Sequence, residues 1–324
     1  MRVLLTGGAG LVGNALTRLF LKKGAQVFCV DNFALGTPRH LEEFHNHSDF
    51  EFEELDASVS GWHKKIQGRK FDLLVHLAAN SDISLGNARP EMDKNRTFDT
   101  SFEALQAARE MKIPKFIFSS TSAVYGANPP MPTSESSPNL HPVSIYGAGK
   151  LASEAFISAF VENYGLEAWI FRFGNVVGEK LTHGVIYDFI GRLRKNPKEL
   201  NVLGNGFQTK TYIDVEDCVS GIGLAFEKSP PGASHAEKFK IFNLSTEGTT
   251  SVRQIAEETC RALNLKNCKV NYQDSPIGWV GDVPKTSLDV SKIKRYGWEP
   301  ALDSTSAVFK SIRDYARWSS KVES

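Results

Sequence analysis

The chain has few of the residues that indicate disulfides, metal sites or membrane insertion. Its 324 residues include four cysteines, and none of them forms a CxxC pair or has a histidine at metal-ligand spacing. We therefore expect free thiols and no metal site. No hydrophobic run is long enough to span a membrane, and the sequence opens with a strand-like run instead of a signal peptide. These absences predict a cytoplasmic protein that does not associate with membranes.

An excess of charge of one sign is also lacking. The 38 lysines and arginines balance 37 aspartates and glutamates, which gives a formal net charge of +1. Such a balance provides no field to attract nucleic acid or an anionic membrane, so neither is expected as a partner. Internal repeats are absent as well. The length suits one large α/β unit with an appended lobe, or two domains.

What the chain does have is a strand, a tight turn and a helix at its start. The run from Met1 to Thr6 is apolar and β-branched, which is typical of a strand buried on both faces of a parallel sheet. Gly7, Gly10 and Gly13 follow, and apolar residues then recur at helical spacing. In such a turn the first helical N–H groups point outward, and glycines let a pyrophosphate approach them. The simpler alternative is a turn that uses glycine for its geometry alone.

A carboxylate follows the second predicted strand. That strand runs from Gln26 to Val30 and ends in Asp31. At this position a carboxylate accepts hydrogen bonds from both hydroxyls of an adenosine ribose and repels a 2′-phosphate. The sequence therefore predicts NAD, and not NADP, as the cofactor.

Three further apolar runs complete the predicted sheet. They cover Phe50 to Leu55, Phe71 to Leu77, and Lys115 to Phe118. Their alternation with helical segments predicts an α/β fold, a Rossmann-type doubly wound parallel sheet. Asp56 ends the third strand, where it either reaches the adenine amino group or is a solvated loop residue.

A tyrosine and a lysine four residues apart indicate proton transfer. A helix is predicted from Tyr146 to Phe160, and Tyr146 and Lys150 lie on one of its faces. Tyrosine has a pKa near 10, but a neighbouring ammonium and a cationic nicotinamide favour the phenolate. Thr121, at the end of the fifth strand, can hydrogen-bond the same substrate alcohol. These residues predict a proton acceptor for a sugar hydroxyl. The plainer alternative is a packed tyrosine beside a surface lysine.

Six segments resemble, in order, the motifs of one enzyme family. They are TGGAGLVG at 6–13, DN at 31–32, HLAA at 76–79, SSTSAVYG at 119–126, YGAGK at 146–150 and RFGNVVG at 172–178. Together they resemble the extended short-chain dehydrogenase/reductases. Within these, the chain resembles the NAD-dependent nucleotide-sugar epimerase/dehydratase family, and most of all its UDP-glucose and UDP-glucuronate 4-epimerase-like members. The likeness extends to YIDVEDC at 212–218 and to the segment 281–300.

The resemblance implies a site for NAD and a nucleotide sugar. It implies that Tyr146 is the base, that Lys150 holds the nicotinamide ribose and that Thr121 is the hydroxyl partner. The implied cofactor-binding residues are Gly7, Gly10, Leu11, Val12, Gly13, Asp31, Asn32, Asp56, Leu77, Ala78, Ala79, Tyr146 and Lys150. The implied substrate-binding residues are Ser81, Thr121, Ser122, Tyr146, Asn175, His183 and Lys210. Of these, Asn175 is implied to contact the diphosphate.

The chain departs from the family pattern at two arginines that bind the diphosphate. Lys210 replaces one of them, which keeps the charge but loses the bidentate fork. Trp279 replaces the other. Lys180, His183 or Lys210 would then share the contact with the diphosphate. The alternative for His183 is an ordinary loop histidine.

The residues after Thr121 distinguish the reactions of the family. Dehydratases resemble one another in an Asp-Glu pair at this point, and decarboxylases carry a glutamate just before Val-Tyr-Gly, whereas this chain has Ser122 and Ala123. The resemblance therefore implies a 4-epimerase that acts on a UDP-sugar such as UDP-glucose, UDP-galactose or UDP-glucuronate. The alternatives are an oxidoreductase or dehydratase that releases a 4-keto sugar, and an NAD-binding protein without catalysis.

We also expect two interleaved domains and a homodimer. The NAD-binding domain should comprise residues 1–174 with about 209–222 and 239–244. A smaller, interleaved substrate lobe should comprise 175–208 and 249–324. The family resemblance implies a homodimer through the predicted helices Met92–Met111 and Tyr146–Phe160.

Overall fold

The computed structural model describes residues 1–276, 278, 283 and 285–323. Within these residues the strands, in chain order, are β1 Arg2–Thr6, β2 Gln26–Asp31, β3 Phe50–Glu54, β4 Leu73–His76, β5 Lys115–Thr121, β6 Glu167–Phe173, β7 Asn175–Val177, β8 Glu199–Val202, β9 Thr209–Lys210, β10 Tyr212–Asp214, β11 Phe239–Leu244, β12 Thr250–Ser251 and β13 Lys269–Tyr272. The helices are α1 Leu11–Lys22, α2 Ile83–Ala88, α3 Pro90–Asp93, α4 Thr100–Glu110, α5 Ile145–Tyr164, α6 Val185–Lys195, α7 Val215–Lys228, α8 His235–Lys238, α9 Val252–Ala262, α10 Ser291–Lys294 and α11 Ser304–Glu323.

Seven of the strands form one parallel sheet. Their order is β11-β6-β5-β4-β1-β2-β3, and the direction of winding reverses between β1 and β4. The predicted α/β Rossmann-type doubly wound sheet is therefore confirmed. Ligands of such sheets bind beyond the carboxyl ends of the strands at the reversal. The remaining strands pair as β7–β10, β8–β13 and β9–β12.

The position of β1 explains its continuously apolar sequence. Val3 and Leu5 pack in a core with α1 and α7, whereas Leu4 packs on the opposite face with α4 and α5. All three side chains are fully buried. Each contributes about 1.5–3 kcal/mol of hydrophobic stabilisation. Helices on both faces of the sheet thus require apolar residues at successive positions of the strand.

A third hydrophobic core lies apart from the sheet. It is formed by α6, β8, α9 and α11, and its most buried members include Ile190, Leu200, Ile255 and Ile312. By contrast, Val290, Ile293 and Trp298 pack in the core shared with α1 and α7. The late part of the chain therefore contributes to two cores.

The elements that carry the predicted catalytic residues are longer than the sequence indicated. The strand predicted to end at Phe118 continues to Thr121, and the helix predicted from Tyr146 to Phe160 runs over α5. Ser144 caps α5, because its Oγ accepts the N–H of Gly147 at 3.1 Å. These two elements bring the end of β5 against the start of α5.

The helix predicted over Met92–Met111 is interrupted by an irregular turn. A π-helical turn at Lys94–Asp99 separates α3 from α4. It packs against α5. Along the described part of the chain, no helix combines the length and the apolar character needed to cross a membrane.

Candidate active site

One cleft collects nearly all of the predicted site residues. It encloses about 730 Å³ and lies at the carboxyl edge of the sheet. The predicted residues that line it are Gly7, Gly10, Leu11, Val12, Gly13, Asp31, Asn32, Asp56, Leu77, Ala78, Ala79, Ser81, Thr121, Tyr146, Lys150, Asn175, His183 and Lys210. Residues far apart in the sequence are thus brought together by the sheet.

Ser122 is the exception among the predicted substrate residues, since it does not line the cleft. Thr121 is the last residue of β5, and its Oγ1 accepts the N–H of Ala123 at 3.1 Å. This bond begins the 3-10 turn Ser122–Tyr125. The chain leaves the strand at Thr121, and the side chain of Ser122 belongs to the turn.

The turn between β1 and α1 has no space for side chains. Gly7 has a φ of +80°, and a Cβ there would lie 2.6 Å from the backbone nitrogen of Ala78. A Cβ at Gly13 would lie 2.2 Å from the carbonyl oxygen of Gly7. Gly10 precedes α1, and no side chain caps the helix there. The first N–H groups of α1 are therefore available to an anionic ligand.

Hydrogen bonds fix the backbone of Ala9 within this turn. Its N–H donates to Oδ2 of Asp31 at 2.9 Å, and its carbonyl oxygen lies 2.7 Å from Nδ1 of His40. The N–H of Phe33 donates to Oδ1 of Asp31 at 2.8 Å. Burial raises the pKa of Asp31, and these backbone donors oppose the shift. The carboxylate therefore lies at the end of β2, where it lines the cleft.

Cys29 lies directly behind the same turn. A Cβ at Gly8 would lie 1.6 Å from its Sγ, and the thiol is fully buried. Burial raises the pKa of the Cys29 thiol. The side chain is therefore an inert packing group.

Asp56 lies at the exposed rim of the cleft. Its Oδ1 accepts hydrogen bonds from the N–H and the hydroxyl of Ser58, at 2.9 and 2.6 Å. Burial opposes ionisation, but the hydrogen bonds from Ser58 and Asn32 hold the pKa of Asp56 below its ordinary value. The carboxylate is ionised and in reach of a ligand in the cleft.

Thr121 and Tyr146 meet where β5 ends against α5. Both side chains line the cleft, where the hydroxyl of Thr121 can hydrogen-bond the phenolate of Tyr146. Burial raises the pKa of Tyr146, the charge of Asp93 adds to the shift, and the bond with Thr121 opposes it. The polypeptide alone thus favours the neutral phenol, in contrast to the expectation that the ammonium of Lys150 makes a phenolate.

Lys150 explains this difference, because it is itself desolvated. It is 1% exposed, and its Nζ donates to the carbonyl oxygen of Ser119 at 2.6 Å. The same nitrogen lies 5.9 Å from the centre of the Tyr146 ring. Burial lowers the pKa of Lys150 to about 7, against the opposing charges of Glu154 and Asp93. Its charge is therefore poised near neutral pH.

A buried ion pair supports α5 one turn beyond Lys150. Arg172 donates to both oxygens of Glu154, through Nη2 at 2.6 Å and Nε at 3.0 Å. Arg172 also donates to the hydroxyl of Tyr125 at 3.0 Å. Both charged side chains are nearly inaccessible. The pair fixes α5 against β6 with its charges mutually compensated.

The opposite wall of the cleft carries three of the predicted substrate residues, Asn175, His183 and Lys210. Asn175 begins β7, and its Nδ2 donates to the carbonyl oxygen of Thr211 at 3.1 Å. Burial lowers the pKa of His183, so this imidazole is neutral at physiological pH. Lys210 lies in β9. Lys180 lies outside the cleft lining, and its Nζ pairs with Glu43 at 2.5 Å. Lys180 is therefore not a diphosphate contact in this arrangement.

Sequence reasoning missed several polar residues of the cleft. Asp82, Arg96, Arg192 and Gln208 line it as well. Asp82 and Arg96 lie on short or irregular segments whose placement depends on tertiary packing, whereas Arg192 lies on α6 and Gln208 stands two residues before Lys210. The Oε1 of Gln208 is buried and has no hydrogen-bond partner within the described residues. The predicted substitution at Trp279 lies outside the described residues.

The chemistry of the cleft fits a dinucleotide. An uncapped helix start suits a pyrophosphate, and the Asp31 carboxylate suits a ribose diol. The volume is in the range of cofactor sites. Over the ranges that the structure describes, no group of three or more His, Cys, Asp or Glu side chains is arranged to hold a metal ion.

Curated relatives span two reactions. The putative UDP-glucose 4-epimerase of Methanocaldococcus jannaschii is 28% identical over 309 residues, which cover 93% of this chain and 94% of the relative. The human dTDP-D-glucose 4,6-dehydratase is 28% identical over 324 residues, which cover 97% of this chain and 89% of the relative. At this identity the relatives indicate a common family but not a common substrate.

Solved structures share the whole fold. A crystal structure of a UDP-galactose 4-epimerase is 32% identical, with a TM-score of 0.86 over 98% of this chain and 99% of the other. The UDP-glucose 4-epimerase of Thermotoga maritima, solved with UDP-glucose, is 27% identical, with a TM-score of 0.85 over 100% of both chains.

The family match agrees with the geometry of the site. The model of the NAD dependent epimerase/dehydratase family matches residues 3–244, which include the glycine turn, Asp31 and the Thr121, Tyr146 and Lys150 cluster. The chain thus belongs to the NAD-dependent epimerase/dehydratase family of extended short-chain dehydrogenase/reductases, and its cofactor is NAD.

Proposed function

We propose that the protein is a nucleotide-sugar 4-epimerase that acts on a UDP-sugar, such as UDP-glucose, UDP-galactose or UDP-glucuronate. One observation carries the proposal. Thr121, Tyr146 and Lys150 meet in the cleft that also contains the glycine turn, while Ser122 and Ala123 supply no carboxylate beside them. Transient oxidation at C4 of the sugar needs the first three residues and no further acid or base.

The proposed proton transfer takes place at the oxygen of Tyr146. This phenol accepts the proton of the C4 hydroxyl and gives it back when the alcohol is re-formed. Thr121, which lines the cleft together with Tyr146, donates to the C4 oxygen as it becomes a carbonyl. Lys150 holds the nicotinamide ribose, and its ammonium lowers the cost of a negative charge on the phenol.

NAD, when bound, would supply the hydride acceptor and donor for transient oxidation at C4 of the sugar. The residues proposed to hold it are the glycine turn for the pyrophosphate and Asp31 for the adenosine ribose. We propose that Asp56 and Asn32 contact the adenine end and that Leu77, Ala78 and Ala79 border the path between the two ends, since all five line the cleft. The small side chains after β4 let the cofactor lie close to the backbone.

Dehydration is the alternative that the human relative raises. Eliminating water from C5 and C6 needs an acid and a base next to the catalytic hydroxyl. Ser122 lies in the turn outside the cleft lining, and Ala123 has no ionisable group. These two positions therefore support epimerisation over dehydration.

The residues proposed to bind the substrate favour a loosely held diphosphate. We propose that Asn175 and Lys210 contact the diphosphate and that Ser81 and His183 contact the sugar. A single lysine holds a phosphate less rigidly than an arginine fork. A loose anchor suits a keto-sugar that must rotate before hydride returns to its other face.

The domain division proposed from the sequence agrees with separate packing of the lobe. Residues 175–208 and 249–324 provide most of the third core, whereas 1–174, 209–222 and 239–244 provide the sheet and most of its cover. The exception is the part around Val290–Trp298, which packs with the sheet.

We also propose a homodimer formed through α4 and α5. Phe102 of α4 lies 5.6 Å from Phe156 of α5, and within α5 the ring of Phe160 lies 4.9 Å from that of Tyr164. Phe156 is 41% exposed and Tyr164 is 54% exposed. An aromatic patch of this kind is typical of a subunit interface.

The reaction is tested by incubating the purified protein with UDP-, GDP-, CDP- and dTDP-sugars in deuterated buffer and following the products by NMR. We expect inversion at C4 of a UDP-sugar without solvent deuterium at C3 or C5, because the migrating hydride does not exchange with solvent. Deuterium at either carbon would indicate an enolising reaction instead.

Two further outcomes separate the rival functions. Stoichiometric accumulation of NADH would indicate a net oxidoreductase. Inactivity towards every nucleotide sugar would indicate a protein that binds NAD without catalysis. Either result would overturn the proposed epimerase.

A further inference from the structure

A buried carboxylate that the proposed reaction does not use lies on a segment packed against α5, and its charge acts on Tyr146 and Lys150. Asp93, the last residue of α3, has no exposed surface. Its Oδ1 accepts hydrogen bonds from Nδ2 of Asn80 at 2.8 Å and Oγ1 of Thr97 at 3.3 Å. Its Oδ2 is buried and has no hydrogen-bond partner in the described part of the chain. A buried carboxylate in this state is costly unless a nearby charge compensates it.

Two glycines allow neighbouring helices to approach Asp93. A Cβ at Gly86, in α2, would lie 1.8 Å from Oδ2 of Asp93. A Cβ at Gly149, one residue before Lys150 in α5, would lie 3.3 Å from Cγ2 of Thr97 and 3.7 Å from the carbonyl oxygen of Asp93. The π-helical turn begins directly after Asp93. Such turns are frequent at functional sites.

Lys150 faces two carboxylates that differ in how their charge is compensated. Glu154 is neutralised by Arg172 at 2.6 Å, whereas Asp93 forms no ion pair with any described residue. The other titratable groups that face Lys150 or Asp93 are Tyr146, the neutral buried His76, and Asp82, which repels Asp93. Asp93 is therefore the uncompensated negative charge beside Lys150.

We propose that Asp93 is a positioning residue that acts through Lys150, because its buried carboxylate keeps the ammonium charged where it binds Ser119 and faces Tyr146. The inference rests on the proposed function in so far as the charge of Lys150 assists proton transfer at Tyr146. The coupling between Asp93 and Lys150 itself does not depend on which sugar is converted.

Removing the charge of Asp93 lowers the pKa of both Lys150 and Tyr146. Lys150 loses an opposite charge, so its cationic form is less favoured and its pKa falls. Tyr146 loses a like charge, so its phenolate is more favoured and its pKa also falls. If turnover needs a deprotonated phenol and a protonated lysine, both limbs of the pH–rate profile move to lower pH.

The first test is the pH dependence of kcat/KM in Asp93→Asn. We expect both limbs to move to lower pH by about one unit, as removal of one nearby charge requires. The matched control is Asp99→Asn, at the other end of the π-helical turn, where the carboxylate pairs with an exposed Lys94 at 2.6 Å. The control should keep the wild-type profile. A loss of activity at all pH values without displacement would reduce Asp93 to a structural residue and overturn the proposal.

The second test measures urea unfolding against pH and needs no substrate. Burial raises the pKa of Asp93, so its folded-state pKa lies above the unfolded value and stability is lost as pH rises through that window. Asp93→Asn lacks this loss and should gain stability relative to wild type as pH rises. The gain should be larger in a Lys150→Met background, because the carboxylate there has lost its cation.

Equal gains in both backgrounds would show that Asp93 and Lys150 are not coupled, and the proposal would fail. If the protein proves to have no epimerase activity but the gain in stability still differs between the two backgrounds, the coupling of Asp93 with Lys150 holds. Only the proposed function is then refuted. The two failures are therefore distinguishable.

Discussion

The two walls of the cleft are built in different ways. The cofactor wall consists of strand ends and one turn, joined by backbone hydrogen bonds such as Gly7 N–H to Val30 O at 2.8 Å and Leu77 N–H to Thr6 O at 3.0 Å. The substrate wall, from Asn175 to Lys210, consists of two-stranded pairs, turns and α6. One wall is specified by backbone geometry and the other by individual side chains.

This difference predicts how each wall responds to substitution. Where the backbone forms the site, adding even one side-chain atom displaces several backbone segments together, because protein interiors are close-packed. Where side chains form the site, a change alters one contact at a time. We expect large effects near the cofactor and graded effects on the opposite wall.

The largest expected effect comes from Tyr146→Phe, at the junction of the two walls. Loss of the hydroxyl removes the proposed base without changing the ring, so kcat should fall about a thousandfold. Bound NAD, measured by absorbance after denaturation, should be retained. Retained turnover would show that the base has been misassigned.

Gly13→Ala tests the cofactor wall. The added Cβ would lie 2.2 Å from the carbonyl oxygen of Gly7, and about 3 kcal/mol of overpacking corresponds to a loss of NAD affinity of about a hundredfold. Gly191→Ala in α6 is the control, because a Cβ there meets nothing within 4 Å. It should instead stabilise the protein by about 0.5–1 kcal/mol. Calorimetric titration with NAD and thermal unfolding compare the two variants. Similar NAD affinities of Gly13→Ala and Gly191→Ala would contradict the prediction.

Asp31→Asn should have an intermediate effect. The amide keeps one acceptor oxygen but loses a charge-assisted bond to the ribose, so NAD should bind about tenfold more weakly. Discrimination against NADP should also fall, since the repelling charge is gone. Asp49→Asn, before β3 at the opposite edge of the sheet, should leave both cofactor affinities unchanged. An Asp31→Asn variant with wild-type discrimination would mean that another group excludes the 2′-phosphate.

The smallest effect is expected on the substrate wall. Lys210→Arg restores a bidentate fork, and KM for the nucleotide sugar should fall about threefold. If rotation of the keto-sugar limits turnover, kcat should fall as well. Lys198→Arg, an exposed substitution before β8, serves as the control. A change of KM as large as that from Asp31→Asn would contradict the contrast between the walls.

Sequence patterns predicted the first wall because its signals are local. Glycines, an apolar strand and a carboxylate at the strand end follow one another within thirty-one residues, and the fold and the cofactor are confirmed. The roles assigned to Thr121, Tyr146 and Lys150 stay predictions, although the structure brings these side chains together.

The second wall was less accessible to sequence reasoning. Its residue Arg192 lies on α6, while the further cleft residues Asp82 and Arg96 come from separate earlier segments, so no local pattern connects the three. The family resemblance implied Ser122 as a substrate residue, but the cap formed by Thr121 starts a turn there, and Ser122 does not line the cleft. Asp93 was missed because a carboxylate within a helical pattern normally faces solvent.

The distribution of thiols offers a practical route to follow the lobe in solution. Cys29 and Cys218 are fully buried, and burial raises the pKa of both. Cys260 and Cys268 are partly accessible and pack beside the third core. A maleimide dye applied to the native protein should therefore label only the lobe. The two thiols in the cores of the sheet would stay unmodified, so the label would follow the third core alone.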